Sequence, residues 1–390
     1  MATSDNILAN LRALALSRRI RGDHCLTIRP VPDAQEQFAP PDEFMSDEAQ
    51  GLVLEPSDGA PFETRSLAPR RGQAEISAFC DGTRSTYFVG FEDIEQRIYP
   101  LLYGQNAAVV RARESLTGYH TTFARMQRHQ STLLSPFGLF PDVIRGAYNR
   151  LGLCPTPYAD LCWNPTVDDE EGVRPQDMLV MGSLAWQGKA RRRARRLLDI
   201  AEQIVTLAGV QVLRDQDPHQ KHWLLKDGSL FQFDKKYLDQ QRNALRNVVS
   251  CVKTHPVPFF GVSGERAVAQ LAIGERSVAF LPRPIREVNQ PQPSTLATTD
   301  RPMISWYLRV REPNQQNPSV LSGVVRLDMV ANDDWRDWVD EVSWAVLDEF
   351  YGLSAMPDPR YDVMPYGIYD CEQYLKAQQV PSELLLAQLG

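Results

Sequence analysis

The feature that most constrains the fold is the alternation of short, apolar, β-rich runs with longer helical patterns. Such runs begin near residues 73, 106, 221 and 304. The clearest helix, at 189–209, has Leu197, Ala201, Ile204 and Ala208 on one face and Gly209 as its expected end. Strands that precede and separate helices predict an α/β or α+β chain built around a mixed sheet, and we take α/β as the prediction.

The composition of the chain changes at about residue 72, which we take as a domain boundary. Residues 1–22 are predicted to form an amphipathic helix, and proline-rich residues 28–72 an irregular arm. We therefore assign 1–72 to an N-terminal helix and arm, and 73–385 to the main domain. Residues 114–185 lack a regular pattern and are expected to form a helical and loop insertion in that domain.

Charge and cysteine usage exclude several classes of protein. The 390 residues carry a net charge of −7, which argues weakly against nucleic-acid binding over the whole surface but allows a local basic groove. No apolar window is long enough to span a membrane, and the first residues have the wrong charge order for a secretory signal. The six cysteines contain no CxxC pair, which argues against a zinc knuckle. We expect a soluble, cytoplasmic protein that does not bind membranes.

Two similar signatures each follow an apolar run: Asp81-Gly82-Thr83 and Asp227-Gly228-Ser229. If both aspartates lie at the ends of neighbouring strands, their carboxylates converge and can bind Mn²⁺ or Mg²⁺, which prefer oxygen ligands. A pair of such ions supports phosphodiester cleavage. The alternative interpretation is that each Asp-Gly dipeptide only makes a tight turn.

The helix at 189–209 offers a third carboxylate. Glu202 and Asp199 are three residues apart, so they share a face of the helix and either could lean towards the metal site. The same residues could equally form a solvated stripe. The basic run that includes Arg192 and Arg195 is either a solvated surface or a patch that contacts phosphates.

Two further charged positions follow or lie within apolar runs. Lys253 follows such a run and could hold a phosphate as a point charge, although a surface lysine is the more common outcome. Asp328 closes a run in which Arg326 lies two positions earlier, and a structural ion pair is the alternative interpretation there.

The order of these motifs resembles that of the NurA nucleases over roughly residues 73–385. The matching segments, in order, are AFCDGTRS, the basic-acidic helix, LLKDGSL, VSCVK, WYLRVRE, GVVRLD and MPYGIYDCEQYL. The resemblance implies an RNase H-like, Mn²⁺-dependent enzyme that works with a hexameric HerA-type ATPase in processing DNA ends.

The resemblance also implies a role for particular residues. It gives Asp81, Glu202 (with Asp199 as the alternate) and Asp227 as metal-binding catalytic acids, and Lys253 as the lysine of the site. Glu372 occupies the position of a further metal ligand. Met364 replaces the tyrosine expected before Pro365, while Tyr366 follows that proline. The residues expected to contact DNA are Arg192, Arg195, Lys253, Arg326 and Tyr366.

With the metal site expected from the residues, the resemblance predicts a homodimeric DNA nuclease dependent on Mn²⁺ or Mg²⁺ that works with a HerA-type ATPase. By resemblance, its expected activities are 5′-to-3′ exonuclease and single-strand endonuclease, in DNA end processing or antiviral defence. The alternative is a catalytically degraded relative that serves as a DNA-binding subunit or adaptor of the ATPase. Met364 and the choice between Glu202 and Asp199 keep this alternative open.

Overall fold

The fold is taken from a computed structural model, which describes most of the main domain. The described residues are 29–30, 50–55, 61–94, 97–113, 120–134, 142, 183–217, 221–230, 243–253, 260–283, 303–313, 321–332, 334–350, 363–381 and 383–384. The helix expected at 1–22 and most of the insertion expected at 114–185 lie outside these residues.

The described residues form thirteen strands, four α-helices and two short 3₁₀ helices. The strands are β1 (Arg29–Pro30), β2 (Gln50–Val53), β3 (Thr64–Ser66), β4 (Glu75–Ile94), β5 (Arg97–Arg113), β6 (His120–Thr121), β7 (Gln127–Leu134), β8 (His222–Asp227), β9 (Val248–Val252), β10 (Glu275–Ser277), β11 (Phe280–Arg283), β12 (Met303–Arg309) and β13 (Val324–Val330). The α-helices are α1 (Ser183–Gln216), α2 (Gly261–Ala269), α3 (Trp335–Leu347) and α4 (Tyr366–Gln378), and the 3₁₀ helices span Ala124–Met126 and Asp348–Phe350.

The strands form one mixed sheet, which confirms the predicted α/β class. Its main path runs β2-β11-β12-β13-β9-β8-β4-β5-β6, and β7 also pairs with β5. Strand β4 is antiparallel to β5 and parallel to β8, and β8 is parallel to β9. The predicted hairpin of β12 and β13 is present as an antiparallel pair.

Strand β4 is much longer than the sequence suggested. It continues through the Asp81-Gly82 dipeptide to Ile94 and pairs with β5 along this length, so the expected strand end at Asp81 is not present. The parallel pairing with β8 stops at Cys80 and Lys226. Asp81 therefore lies inside its own strand but at the point where the neighbouring strand ends.

Two segments expected to be irregular contribute to the sheet. Strands β2 and β3 come from the predicted arm and pair with β11 and β10. Residues 127–134, inside the expected insertion, form β7 along β5. Strands β2 and β3 are too short to show an alternating pattern, and the sequence of β7, QRHQSTLL, is polar over its first half.

Helix α1 covers one face of the sheet. The core on this face contains Ala201 and Val205 of the helix with Cys80 and Leu224 of the strands. The predicted stop at Gly209 is wrong, because the helix continues to Gln216. A Cβ at Gly209 would lie 2.7 Å from Val110 Cγ1, so this glycine lets the helix approach β5 closely.

Helices α3 and α4 pack on the opposite face. Phe79 and Leu225 of the strands join Val342 and Ile368 of the helices in this core. Because successive strand residues point to opposite faces, each strand residue belongs to either the α1 face or the α3–α4 face. None of the described helices is long and apolar enough to cross a membrane.

Candidate metal and nucleic-acid site

The two aspartates of the Asp-Gly signatures lie side by side. Cys80 pairs with Lys226 in the parallel register of β4 and β8, so Asp81 and Asp227 are the next residues on adjacent strands. Alternation places Asp81 on the same face as Phe79, and Asp227 on the same face as Leu225. The predicted convergence of these two residues is therefore present, on the α3–α4 face.

Lys253 completes a cluster of charges with the two aspartates. Its Nζ lies 2.9 Å from Asp227 Oδ2, directly after β9. Burial alone would lower the pKa of Lys253, but the charges of Asp227 and Asp81 raise it above its usual value. The lysine is therefore a fixed cation at the carboxyl ends of β8 and β9.

Asp81 is the least compensated acid of this cluster. Its side chain is buried, and its Oδ1 accepts a hydrogen bond from the Gly82 amide at 2.7 Å. Burial raises the pKa of Asp81 well above its usual value, and the charges of Asp227 and Glu202 raise it further against the opposing effect of Lys253. The site therefore favours the arrival of additional positive charge.

Glu202 belongs to α1 and lies between this helix and the other face of the sheet. It forms an ion pair of 2.6 Å between its Oε2 and Nζ of Lys226, whose side chain is fully buried. The same Nζ donates a hydrogen bond to the Asp227 carbonyl at 2.6 Å. A Cβ at Gly82 would lie 2.3 Å from Glu202 Oε1, so the glycine lets this carboxylate reach β4.

Asp199 lies one turn before Glu202 on α1 and is half-buried. Burial, with a further contribution from the charge of Glu202, raises the pKa of Asp199 to about 6 against the opposing charges of Arg195 and Lys226. Glu202 is thus the acid of α1 whose charge raises the pKa of Asp81.

The donor set of Asp81, Asp227 and Glu202 fits a hard divalent cation, because carboxylate oxygens are the ligands that Mg²⁺ and Mn²⁺ prefer. The raised pKa of Asp81 fits it as well. However, in the described part of the chain no group of three or more His, Cys, Asp or Glu residues is arranged to hold a metal ion. The three carboxylates are separated because Glu202 lies on the opposite face of the sheet from Asp81 and Asp227. Glu202 would have to leave Lys226 to join them.

Four other predicted site residues lie on α1 and α4. Glu372 of α4 pairs with Lys376 at 2.5 Å. Tyr366 begins α4 with 53% of its surface exposed, and Met364 is buried just before it. Arg195 is half-buried beside Asp199. The side chain of Arg192 lies outside the described residues.

Arg326 and Asp328 form the ion pair that was the alternative interpretation. Arg326 Nε lies 2.8 Å from Asp328 Oδ1, with side-chain exposures of 10% and 0%. The carboxylate also accepts hydrogen bonds from the hydroxyls of Ser229 at 2.7 Å and Ser305 at 2.7 Å. A DNA contact by Arg326 remains a prediction, and its guanidinium is already engaged within the sheet.

Sequence reasoning missed Lys226 as a member of the site. The signal was present, because a lysine that precedes Asp227 in an otherwise apolar strand must point to the opposite, helix-covered face. A lysine buried there requires an acidic partner, and the acid of α1 next to the sheet is Glu202.

No protein-family model matches the chain, and no curated protein matches it. Function is therefore inferred from the residues of the chain and their arrangement.

Proposed function

We propose that this chain is a metal-dependent DNA nuclease that resembles the NurA nucleases. The observation that carries the proposal is the adjacency of Asp81 and Asp227 on neighbouring parallel strands, with the Lys253 ammonium 2.9 Å from Asp227. Two such carboxylates can hold the divalent metal ions that catalyse reactions at phosphodiesters, and the lysine adds a fixed positive charge beside them.

The strand order supports the proposed RNase H-like core. Three neighbouring antiparallel strands, β4, β5 and β7, are followed by α1 and then by β8 and β9, which run parallel to β4. Strand β4 is the middle one of these five strands, and the candidate acids come from β4, α1 and β8. This is the arrangement of sheet and helix expected for such a core.

Asp81 and Asp227 would hold Mn²⁺ or Mg²⁺, with Glu202 as a third ligand if it leaves Lys226. A divalent ion at such a site supplies Lewis-acid chemistry, in which it acidifies a water and stabilises charge on phosphate oxygens. Lys253 holds Asp227 in place and presents a positive charge to an approaching phosphate.

The identity of the substrate and partners rests on the resemblance. The 5′-to-3′ exonuclease and single-strand endonuclease activities, homodimer formation and cooperation with a HerA-type ATPase are proposed on that basis. DNA end processing and antiviral defence are both compatible with these activities.

The test is cleavage of end-labelled single- and double-stranded DNA by the purified full chain in Mn²⁺, Mg²⁺ or EDTA, alone and with a HerA-type ATPase. We expect metal-dependent cleavage that Asp81→Asn and Asp227→Asn abolish. Asp215→Asn is the matched control, because Asp215 is an exposed acid near the end of α1. Equal cleavage by wild type and both site variants would refute the proposed site, and no cleavage by wild type in any metal would refute the nuclease.

A second candidate is a DNA-binding subunit without catalysis. It is favoured by the two lysines, since Lys253 neutralises Asp227 and Lys226 neutralises Glu202. In that case the chain would bind DNA and the ATPase, the DNA would stay intact in every metal, and Asp81→Asn would not alter binding.

A further inference from the structure

A tight turn follows β8 directly after Asp227. Asp227 is the last residue of β8, and Gly228 has a left-handed φ of 72°. The Gly228 amide donates a hydrogen bond to the Cys251 carbonyl at 3.0 Å, which ties the start of the turn to β9. Leu230 is fully buried and anchors the chain after the turn.

Ser229, between these two anchors, is tied to a third strand. Its hydroxyl donates a hydrogen bond to Asp328 Oδ2 at 2.7 Å and accepts one from Arg326 Nη2 at 3.2 Å. Both partners belong to β13, which does not pair with β8 in the sheet. The contact therefore crosses over β9, which lies between these two strands.

The acceptor of this bond is held rigidly. Asp328 is fully buried, and its carboxylate accepts hydrogen bonds from Ser250 of β9 at 3.3 Å and Ser305 of β12 at 2.7 Å. Arg326 binds both oxygens, at 2.8 and 3.2 Å. A charge-assisted bond to an acceptor fixed from several strands is stronger and better oriented than one between neutral groups.

We propose that Ser229 is a positioning residue, which uses the buried Asp328–Arg326 pair to fix the direction of Asp227. The inference deepens the proposed metal-dependent nuclease and rests on it. A ligand at the first position of a turn moves whenever the turn moves, and supporting hydrogen bonds of this kind orient metal ligands. The Ser229 hydroxyl thus positions Asp227 in addition to the pairing between the strands.

The test compares two hydroxyls that bind the same carboxylate. Ser229→Ala removes the bond between the turn and Asp328, whereas Ser250→Ala removes a bond to Asp328 without touching the turn. The first readout is the Kd for Mn²⁺, measured without DNA by titration of the free-ion electron paramagnetic resonance signal. We expect Ser229→Ala to weaken binding about tenfold or more. Ser250→Ala should bind Mn²⁺ nearly as wild type does, because Asp328 keeps its shorter bonds to Ser305 and Arg326.

The second readout is amide hydrogen exchange at Gly228, which does not depend on metal or activity. We expect faster exchange in Ser229→Ala than in Ser250→Ala. Equal exchange and equal Mn²⁺ affinity in the two variants would overturn the positioning role. If wild type neither binds Mn²⁺ nor cleaves DNA, the nuclease proposal fails, and exchange at Gly228 still decides whether Ser229 holds the turn.

Discussion

The two Asp-Gly dipeptides are identical in sequence and neighbours in space, yet the backbone uses them differently. Asp81-Gly82 continues an extended strand, whereas Asp227-Gly228 ends one in a turn with a left-handed φ of 72° at the glycine. A Cβ at Gly82 would have to displace the Glu202 side chain, whose Oε1 lies 2.3 Å from that position. Gly228 is required by its backbone conformation.

The two aspartates also differ in electrostatics. Asp227 has the ammonium of Lys253 at 2.9 Å, while burial and neighbouring carboxylates raise the pKa of Asp81 well above its usual value. A short motif therefore identifies a candidate ligand, but the surrounding elements decide whether it is already neutralised. The asymmetry suggests that Asp81 gains most from an incoming cation.

The largest expected effect is on cleavage. Asp81→Asn and Asp227→Asn should each lower the rate about 1000-fold or more, because each removes a charged metal ligand worth several kcal/mol in the transition state. Rates on labelled DNA in Mn²⁺ measure this, with Asp215→Asn as control. A large loss in only one variant would assign the metal to that aspartate alone.

The same two variants should change stability in opposite directions. In EDTA at pH 7, Asp227→Asn should cost about 2 kcal/mol, because the largely buried Lys253 loses a charged partner. Asp81→Asn should stabilise the fold, because it removes a buried carboxylate whose raised pKa marks its charge as unfavourable. Urea denaturation measures both, and destabilisation by Asp81→Asn would contradict the proposed asymmetry.

Glu202→Gln tests the α1 side of the site. It leaves the fully buried Lys226 without its carboxylate and should cost about 3 kcal/mol in the free energy of unfolding. The control is Glu372→Gln, which breaks only the partly exposed pair with Lys376 and should cost below about 0.5 kcal/mol. Equal costs would show that the Glu202–Lys226 ion pair does not contribute to the free energy of unfolding.

The two glycines provide the most direct comparison. Gly228→Ala should cost about 1–2 kcal/mol because an alanine must adopt a left-handed conformation. Gly82→Ala should cost a similar amount, about 1–3 kcal/mol, by overpacking. It should also displace Glu202, which would appear as an altered Mn²⁺ affinity that is lost when Gly82→Ala is made together with Glu202→Gln. Chemical denaturation and Mn²⁺ titration separate the two causes.

The smallest effect concerns Asp199, whose pKa rises from 3.8 to about 6. The folded state binds this proton more tightly than the unfolded state, so stability falls as the pH rises between these values. Asp199→Asn should therefore flatten the stability profile between pH 4 and 6 by at most about 1 kcal/mol, because the side chain is partly solvated. A profile identical to wild type would show that Asp199 titrates normally.

Much of the central fold was readable from local patterns. Short apolar, β-rich runs located β8 and the β12–β13 hairpin, and the helical pattern located the middle of α1. The ends of elements were less readable. Gly209 was expected to end α1, but it serves close packing against Val110, a contact between residues that are distant in sequence.

The sequence by itself determined that Asp81, Asp227 and Lys253 follow apolar runs, which was enough to propose that they meet. Only the tertiary structure decided that Asp81 lies inside a long strand, and that Glu202 pairs with Lys226 on the opposite face. The physical reason is that strand length and ion pairing depend on neighbours far apart in the chain. Strand β5 extends β4 beyond Asp81, and the burial of Lys226 under α1 makes Glu202 its counter-ion.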